Sequence, residues 1–300
     1  MDKHILNRLR EKILDRGSIR NLPDRTLQES SILNTWGTNA IEGNTLTLDE
    51  VTTVIERGMT VPNRPVRDLL ETIQHQSAFS EVVKGKISDV NMQSALTLHK
   101  IIFSGILIDA GKWRTVNVRI TGSKHAPPRV EKLLSLLSGW ENEYTAMEMN
   151  RMDVFSQAAK MHYGFESIHP FSDGNGRVGR LLLNIHFLNH NWPFINILPQ
   201  HRRDYLNALE RSGSEGTAEL KAFLETNMAR SMIFLLDKVG SEEDTLQSLN
   251  ELRKTSGIDY SSKYIALRIT QGEIPGIRLN REWKTSVAAI NLYREAKEKE

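Results

Sequence analysis

His169-Pro-Phe-Ser-Asp-Gly-Asn-Gly-Arg-Val-Gly-Arg180 lies between two apolar stretches, and the rest of the chain is read outward from it. Val154 to Ile168 before it and Leu181 to Leu188 after it both carry apolar residues at helical spacing. The motif is therefore expected at a helix–loop–helix junction. Glycine-rich turns and helix N-termini present free backbone N–H groups, which favour anions and phosphate above all. Gly174 and Gly176 let the backbone come close to a phosphate. Arg177 and Arg180, three residues apart, put fixed positive charge on one face of the second helix. Asp173 is a hard oxygen ligand suited to Mg²⁺. His169, at the loop entrance, is fitted to take a proton from a hydroxyl. These residue types suit phosphoryl or nucleotidyl transfer, where positioning and charge neutralisation dominate.

Composition narrows the alternatives. Three hundred residues with 39% hydrophobic content allow one large domain or two smaller ones with a real core. The net charge of +2 creates no global field toward nucleic acid or membrane. There is no cysteine, which excludes disulfides and thiolate metal sites and is compatible with a reducing compartment. The first residues, Met1-Asp-Lys-His-Ile-Leu-Asn-Arg-Leu-Arg, are charged throughout, so no secretory signal is expected. The apolar run Met232 to Leu236 is far too short to span a bilayer. A soluble, cytoplasmic protein with no membrane partner is expected.

The pattern His-Pro-Phe-x-Asp-Gly-Asn-Gly-Arg-x-x-Arg resembles the signature of the Fic family, and every defined position is matched here. The resemblance implies a mostly α-helical Fic-type core that transfers AMP from ATP to a Ser, Thr or Tyr hydroxyl of a target protein or of itself. ATP would be the substrate and Mg²⁺ (or Mn²⁺) the cofactor. His169 would act as base and Asp173 would hold the metal. Asn175, with the Gly174 and Gly176 amides, would stabilise charge at the α-phosphate. Arg177 would hold the β-phosphate and Arg180 the γ-phosphate. Phe171 would anchor the loop. In some family members a lysine replaces the second glycine and the reaction becomes phosphate transfer; Gly176 argues against that here.

Taken in order, residues 3 to 15 have helical spacing and Pro23 breaks it. A second helix is expected from about Asp24 to Ile41, ending at Gly43. Thr47-Leu-Asp-Glu50 reads as a capping box opening a third helix to Arg57. The stretch Thr38-Asn-Ala-Ile-Glu-Gly43 resembles the Fic inhibitory motif. The resemblance implies that Glu42 pairs with Arg180 and denies it to the nucleotide; in some members this glutamate also positions water to remove AMP. Physically, a carboxylate beside a phosphate site repels the anion and competes for its arginine. Read alone, Glu42 is equally a helix-end residue facing solvent.

Residues 64 to 110 read as helical, with a loop near Lys84-Gly-Lys86 and a helix capped at Asp89. Between about 113 and 128, β-branched and polar residues alternate around a Thr121-Gly-Ser-Lys124 turn, which predicts a short β-hairpin. This hairpin resembles the Fic flap, where a target segment docks by strand pairing along Val116, Asn117, Val118, Arg119 and Ile120. The alternative is a plain connecting hairpin. A further helix covers 129 to 149. His186 and His190 lie four apart on a helix, but no neighbouring acidic residue completes a zinc pattern, and a helix-terminal role is expected. Another helix begins near Gln200. Tyr205 aligns with an aromatic that the family uses near the nucleotide, but Glu210-Arg-Ser-Gly-Ser-Glu-Gly216 departs from the family's base-contacting asparagine.

Three parts are expected: residues 1–60 with the inhibitory motif, 61–240 as catalytic core, and 241–300 as a linker helix through Lys254 and a small α+β domain. The last part reads as a helix, a hairpin turning at Asn280-Arg281, and a final helix. That order resembles the winged-helix modules of the excisionase and MerR type. The resemblance implies DNA contacts by Lys263, Arg268, Arg278, Arg281 and Lys284. The alternative is a dimerisation or docking module, so a homodimer is compatible with the sequence. A reading of another class is a DNA-binding regulator whose Fic region only senses nucleotide.

Overall fold

The computed structural model describes residues 1–300 apart from 121, 123–124, 214–215, 256–257, 280–281 and 299–300, and apart from the side chains of 253 and 255. Arg281 and the expected turns at Thr121–Lys124 and Asn280–Arg281 fall wholly or largely outside the described residues. The chain divides into two compact units. The larger comprises Glu29–His190 and Ile195–Phe223; the smaller comprises Met1–Gln28, Asn191–Phe194 and Leu224–Glu300. No described helix is long and apolar enough to cross a membrane.

The larger unit holds most of α2 (Asp24–Ile41), then α3 (Leu48–Arg57), α4 (Val66–Val83), α5 (Met92–Phe103) and α6 (Leu133–Met149). It continues with α7 (Val154–Ile168), α8 (Asn175–Asn189), α9 (Arg202–Glu210) and the start of α10 (Ala218–Val239). Helix α8 is its axis. Val178, Leu181, Leu182, Leu183, Ile185 and Phe187 are wholly buried around its circumference. A helix that is apolar all round must be enclosed by others, and α4, α5 and α7 pack against it. The capping box forms as expected, with Thr47 Oγ1 accepting from Glu50 N–H and Glu50 Oε2 from Thr47 N–H. The α5 cap differs from expectation. Asn91, not Asp89, accepts the Ser94 N–H, because it stands three residues before an unpaired helix donor.

Residues 113–128 do not form the expected hairpin. Among the described residues there, Val116, Asn117, Val118, Arg119 and Ile120 lie outside any strand ladder. The buried Arg114 guanidinium ties the two arms instead, donating to Val116 O at 3.0 Å and Pro128 O at 2.5 Å. Asn117 Oδ1 accepts the Val130 N–H at 2.9 Å. Pro127 and Pro128 have no N–H, so the returning arm lacks the donors a ladder needs.

In the smaller unit, α1 (Lys3–Leu14) packs on α13 (Val287–Glu298), and compactness groups both with the 224–300 region. The expected linker helix from 241 to 254 is broken. A 3-10 turn at Glu242–Asp244 is closed by Asp244 on Ser241, then comes β1 (Gln247–Ser248), and only then α11 (Leu249–Thr255). Helix α12 (Ser262–Thr270) is capped by Ser261 and followed by Gly272 at φ 75. Strands β2 (Ile277–Leu279) and β3 (Glu282–Thr285) pair antiparallel. Strand β1 adds to β3 with Gln247 opposite Thr285, giving the order β1-β3-β2. Two residues are too short for a period-2 pattern, which is why β1 was not legible in the sequence.

Candidate active site

The 169–174 loop is a piece of irregular backbone whose polar groups are satisfied partly from within, by Asn175, and partly by Arg114 and His99. His169 ends α7 in the left-handed region, at φ 52, and its N–H still reaches Phe165 O. Asn175 then closes the loop on itself: its Oδ1 accepts Phe171 N–H at 2.8 Å and its Nδ2 donates to Phe171 O at 3.0 Å. Phe171 is fully buried and stacks on His99 at 3.9 Å between ring centres. Gly174 opens α8 at φ 81, and a Cβ there would collide with the Phe103 ring. Only glycine meets both demands.

His99 went unrecognised in the sequence, where a lone histidine in an apolar helix reads as core. Its Nδ1 accepts the Gly111 N–H at 2.8 Å. Its Nε2 therefore carries the proton and donates to Asp173 O at 3.1 Å. Burial lowers its pKa, which keeps this tautomer neutral. His99 thus holds the loop from outside by stacking and by one hydrogen bond.

His169 is part-buried, and its carbonyl accepts from Arg114 Nε at 2.9 Å. Burial lowers its pKa, with the Arg114 charge adding to the effect and a Glu166 backbone hydrogen bond opposing it. The imidazole is therefore held in its basic, neutral form. Asp173 sits at the first turn. Its Oδ1 accepts the Gly174 N–H at 2.6 Å, and Oδ2 pairs with Arg67 at 2.7 Å. Burial works to raise the Asp173 pKa, but Arg177 and Arg67 outweigh it, and the net shift is downward. A half-exposed, anionic carboxylate fits one position of a hard divalent ion that keeps its remaining ligands as water and phosphate.

The two arginines of the motif have different partners. Arg177 is buried, pairs with the buried Glu71 at 2.9 Å and lies over the Phe103 ring. Arg67, on the same face of α4 as Glu71, links that carboxylate to Asp173. The i, i+4 spacing of Arg67 and Glu71 was the available signal for this network, and it was passed over. Arg180 donates to Thr38 Oγ1 at 2.6 Å, Thr38 O at 3.2 Å and Glu42 Oε1 at 2.6 Å. Burial works to raise the Glu42 pKa, but Arg180 and Arg177 more than cancel it, so the carboxyl stays below the ordinary range. A Cβ on Gly176 would strike Glu42 Oε1 and Arg180. Gly176 is thus the space through which Glu42 enters the loop.

Glu42 is held there by its own turn. Gly43 follows at φ 94, and Asp68 of α4 accepts from the Thr45 N–H and hydroxyl. Arg202 of α9 donates to Ile41 O at the α2 C-terminus, where a cation is favoured. Tyr205 is buried, with its hydroxyl 2.7 Å from His162 Nε2 and the Arg180 guanidinium 5.7 Å from its ring centre. Glu166, one turn before His169, lies beside them; burial pushes its carboxyl up to about 8, against the Arg180 charge. Sequence reasoning missed both His162 and Glu166. An open cleft of about 570 Å³ is lined by His125, Asn207, Glu210 and Arg211, and His125 Nε2 lies 2.8 Å from Ser167 O.

Of the other expected site residues, Val116 and Arg119 are exposed. In the smaller unit, Arg268 is engaged with Glu273 at 2.8 Å and lies over Tyr264. Arg278 lies over Trp283 at 6.0 Å. Lys263 lines a shallow cleft with Ser262, Ala266, Glu282 and Trp283. Lys284 on β3 faces Ile277 and Ser248 across the ladder.

Residues 89–187 match the sequence profile described as Fic/DOC family. Among curated proteins, the protein adenylyltransferase fic-1 of Caenorhabditis briggsae is 31% identical over 193 residues, which is 62% of this chain and 37% of that relative. The protein adenylyltransferase Fic of Nematostella vectensis is 27% identical over 222 residues, 71% of this chain and 51% of that relative. The chain thus spans 37% and 51% of the length of these two relatives. Among solved structures, a Fic family protein from Desulfovibrio desulfuricans G20 superposes with a TM-score of 0.66 at 21% identity, covering 95% of this chain and 96% of that one. A Fic-domain-containing signalling protein from Bacteroides thetaiotaomicron VPI-5482 gives 0.67 at 21% identity, over 77% and 96%. These two show a shared, mostly helical Fic fold.

Proposed function

We propose that this chain is a protein adenylyltransferase held in check by its own Glu42. The observation that carries the reading is the 2.6 Å ion pair between Glu42 Oε1 and Arg180, with Thr38 gripping the same guanidinium. An arginine so placed is the natural partner of a terminal phosphate, and a carboxylate in its fork keeps an anion out. The names of the relatives support AMP transfer in particular.

In this reading residues 61–240 carry the chemistry and Glu42 the check. His169, already neutral, takes the proton of a target hydroxyl. The hydroxyl oxygen bonds to the α-phosphorus of ATP, the bond to the bridging oxygen breaks, and pyrophosphate leaves. The product is an AMP ester of Ser, Thr or Tyr. Asp173 would hold Mg²⁺, whose charge would offset that of the phosphates. The Gly176 amide at the start of α8 would face developing negative charge where a helix favours it, joined by the Gly174 amide only if Asp173 releases it. Arg177 would serve the β-phosphate, and Arg180 the γ-phosphate once Glu42 withdraws. The cleft beside Asn207 and Glu210 is where the base would lie. The 116–120 segment, which lies outside any strand ladder among the described residues, would offer its backbone to a target strand. In the same reading Glu42 would also orient water for removal of AMP.

The test is incubation of wild type and Glu42→Gly with Mg²⁺ and ATP labelled at the α- or the γ-phosphate. Retained α-label, stronger in the variant, is expected. Label from the γ-phosphate alone would make the protein a kinase, and no label in either protein would remove the inhibition model. Glu42 has a depressed pKa, so its pairing is present above the ordinary carboxylate range and is lost only as pH falls through the lowered value. Acid release of the check is therefore not expected near neutrality.

A second reading concerns residues 245–298. The order β1, α11, α12, β2, β3, α13 and the β2–β3 pair resemble a winged helix, and Lys263 lies on the exposed face of α12. We infer DNA binding through this module, with Lys263 contacting phosphate. The full chain is expected to shift duplex DNA at low salt, and less so as salt rises or in Lys263→Glu. Absence of any shift would leave a docking module.

A further inference from the structure

At the C-terminal end of α8, roughly 20 Å along the helix from the catalytic loop, three side chains from two helices converge. His186 and His190 come from α8 and its cap, and Glu148 from α6. One oxygen or nitrogen of each lies within 4.8 Å of the others. No acidic residue stands near the two histidines in sequence; α6 supplies one in space.

The hydrogen bonds assign the tautomers. His186 Nε2 lies 3.0 Å from Val154 O, which can only accept, so Nε2 bears the proton. Its Nδ1 lone pair then faces Tyr144, whose hydroxyl donates to it at 3.0 Å. His190 Nδ1 lies 2.8 Å from His186 O and likewise bears a proton. Its Nε2 is turned to Glu148 Oε2 at 3.3 Å. The other Glu148 oxygen is held by Gln157 Nε2 at 2.6 Å. Each far atom is thus fixed on the protein, and the three near atoms lie within 4.8 Å of one another. Metal-binding histidines and carboxylates are oriented by outer partners in this same manner. In the neutral protein, His190 Nε2 and Glu148 Oε2 are two electron-rich atoms face to face. A cation between them makes the arrangement favourable.

We propose that Glu148, His186 and His190 form a binding site for a divalent transition metal ion of the zinc class, tying α6 to the end of α8. Two imidazoles and one carboxylate, with a water in the fourth position, are a donor set suited to Zn²⁺ and its neighbours. Ligand atoms around one such ion at about 2.0–2.1 Å stand roughly 3.3 Å apart. Closing the cluster needs small rotations of the two outer side chains, Glu148 and His190, which are partly exposed. Tyr144 must release Nδ1. A proton shared between His190 Nε2 and Glu148 is the competing occupant. The site is independent of the loop chemistry proposed above.

The test uses the full, untagged chain after chelator treatment. Zn²⁺ is titrated by calorimetry, and Co²⁺ by visible absorption. One equivalent of Zn²⁺ and the intense four-coordinate Co²⁺ spectrum are expected. His190→Ala and Glu148→Gln should each lose at least about tenfold in affinity, with unchanged melting in chelator. Asp173→Asn should keep both signals. Wild type that binds no stoichiometric Zn²⁺, full binding in both variants, or loss in Asp173→Asn would each overturn the proposal.

Discussion

Two irregular segments meet at His169, and they are held by opposite means. The 169–174 loop is closed by its own motif: Asn175 bonds both backbone groups of Phe171, and Phe171 is the plug. Among its described residues the 113–128 segment is tied chiefly by Arg114, which reaches Val116, Pro128 and the carbonyl of His169 itself. Self-satisfied backbone is written locally and so can be read from a short motif. Backbone satisfied by a folded-over guanidinium has no local signature, and alternating residue types there look like a strand. The segments also differ in exposure. The loop is lined by buried rings, whereas Val116 is 61% exposed.

The largest expected effect lies in the loop. His169→Ala should reduce transfer by about 100-fold or more, the range for a lost general base, while ATP binding survives. In wild type the acid limb of the rate profile should fall below the ordinary histidine range, because burial lowers the His169 pKa. Retained transfer in the variant would sever the base role from this residue.

Arg114→Ala sharpens the contrast. It leaves three carbonyls without a donor, at about 1–3 kcal/mol for each that stays buried. Hydrogen exchange should rise across the described parts of 115–130, with less change in α8. Uniform loosening of loop and flap together would mean that the two are one element and not two. The smallest effect belongs to Arg67→Ala. Its ion pair with Asp173 is half exposed, so stability should change by under about 1 kcal/mol. Mg²⁺ should nevertheless bind two- to fivefold tighter, since a cation that competes for Asp173 is gone. Weaker Mg²⁺ binding would show that Arg67 positions the carboxylate instead of capping it.

Elsewhere legibility followed the same rule. The capping box at Thr47 and the helical axis through Leu181 to Leu188 are short-range patterns, and each is where its residues predict. The Glu42–Arg180 pair was expected only through resemblance, and its geometry agrees. Glu71, Arg67, His99 and Glu166 were not seen, because each acts through residues remote in sequence. The 241–254 region was read as one helix because its charged composition resembles a linker. Asp244 instead folds back on Ser241, and Gln247 joins the sheet edge.

By itself the sequence determined the helical class, the loop and its likeness to Fic proteins, and the types of residue available for phosphate, metal and proton. Those depend on periodicity, turn chemistry and side-chain pKa, all of which are local. Only the tertiary structure decided which charges meet: Glu42 with Arg180, Glu71 with Arg177, Arg67 with Asp173, and Glu148 with the two α8 histidines. Charge pairing is set by distance in space, and packing around α8 brings together groups that the chain holds far apart.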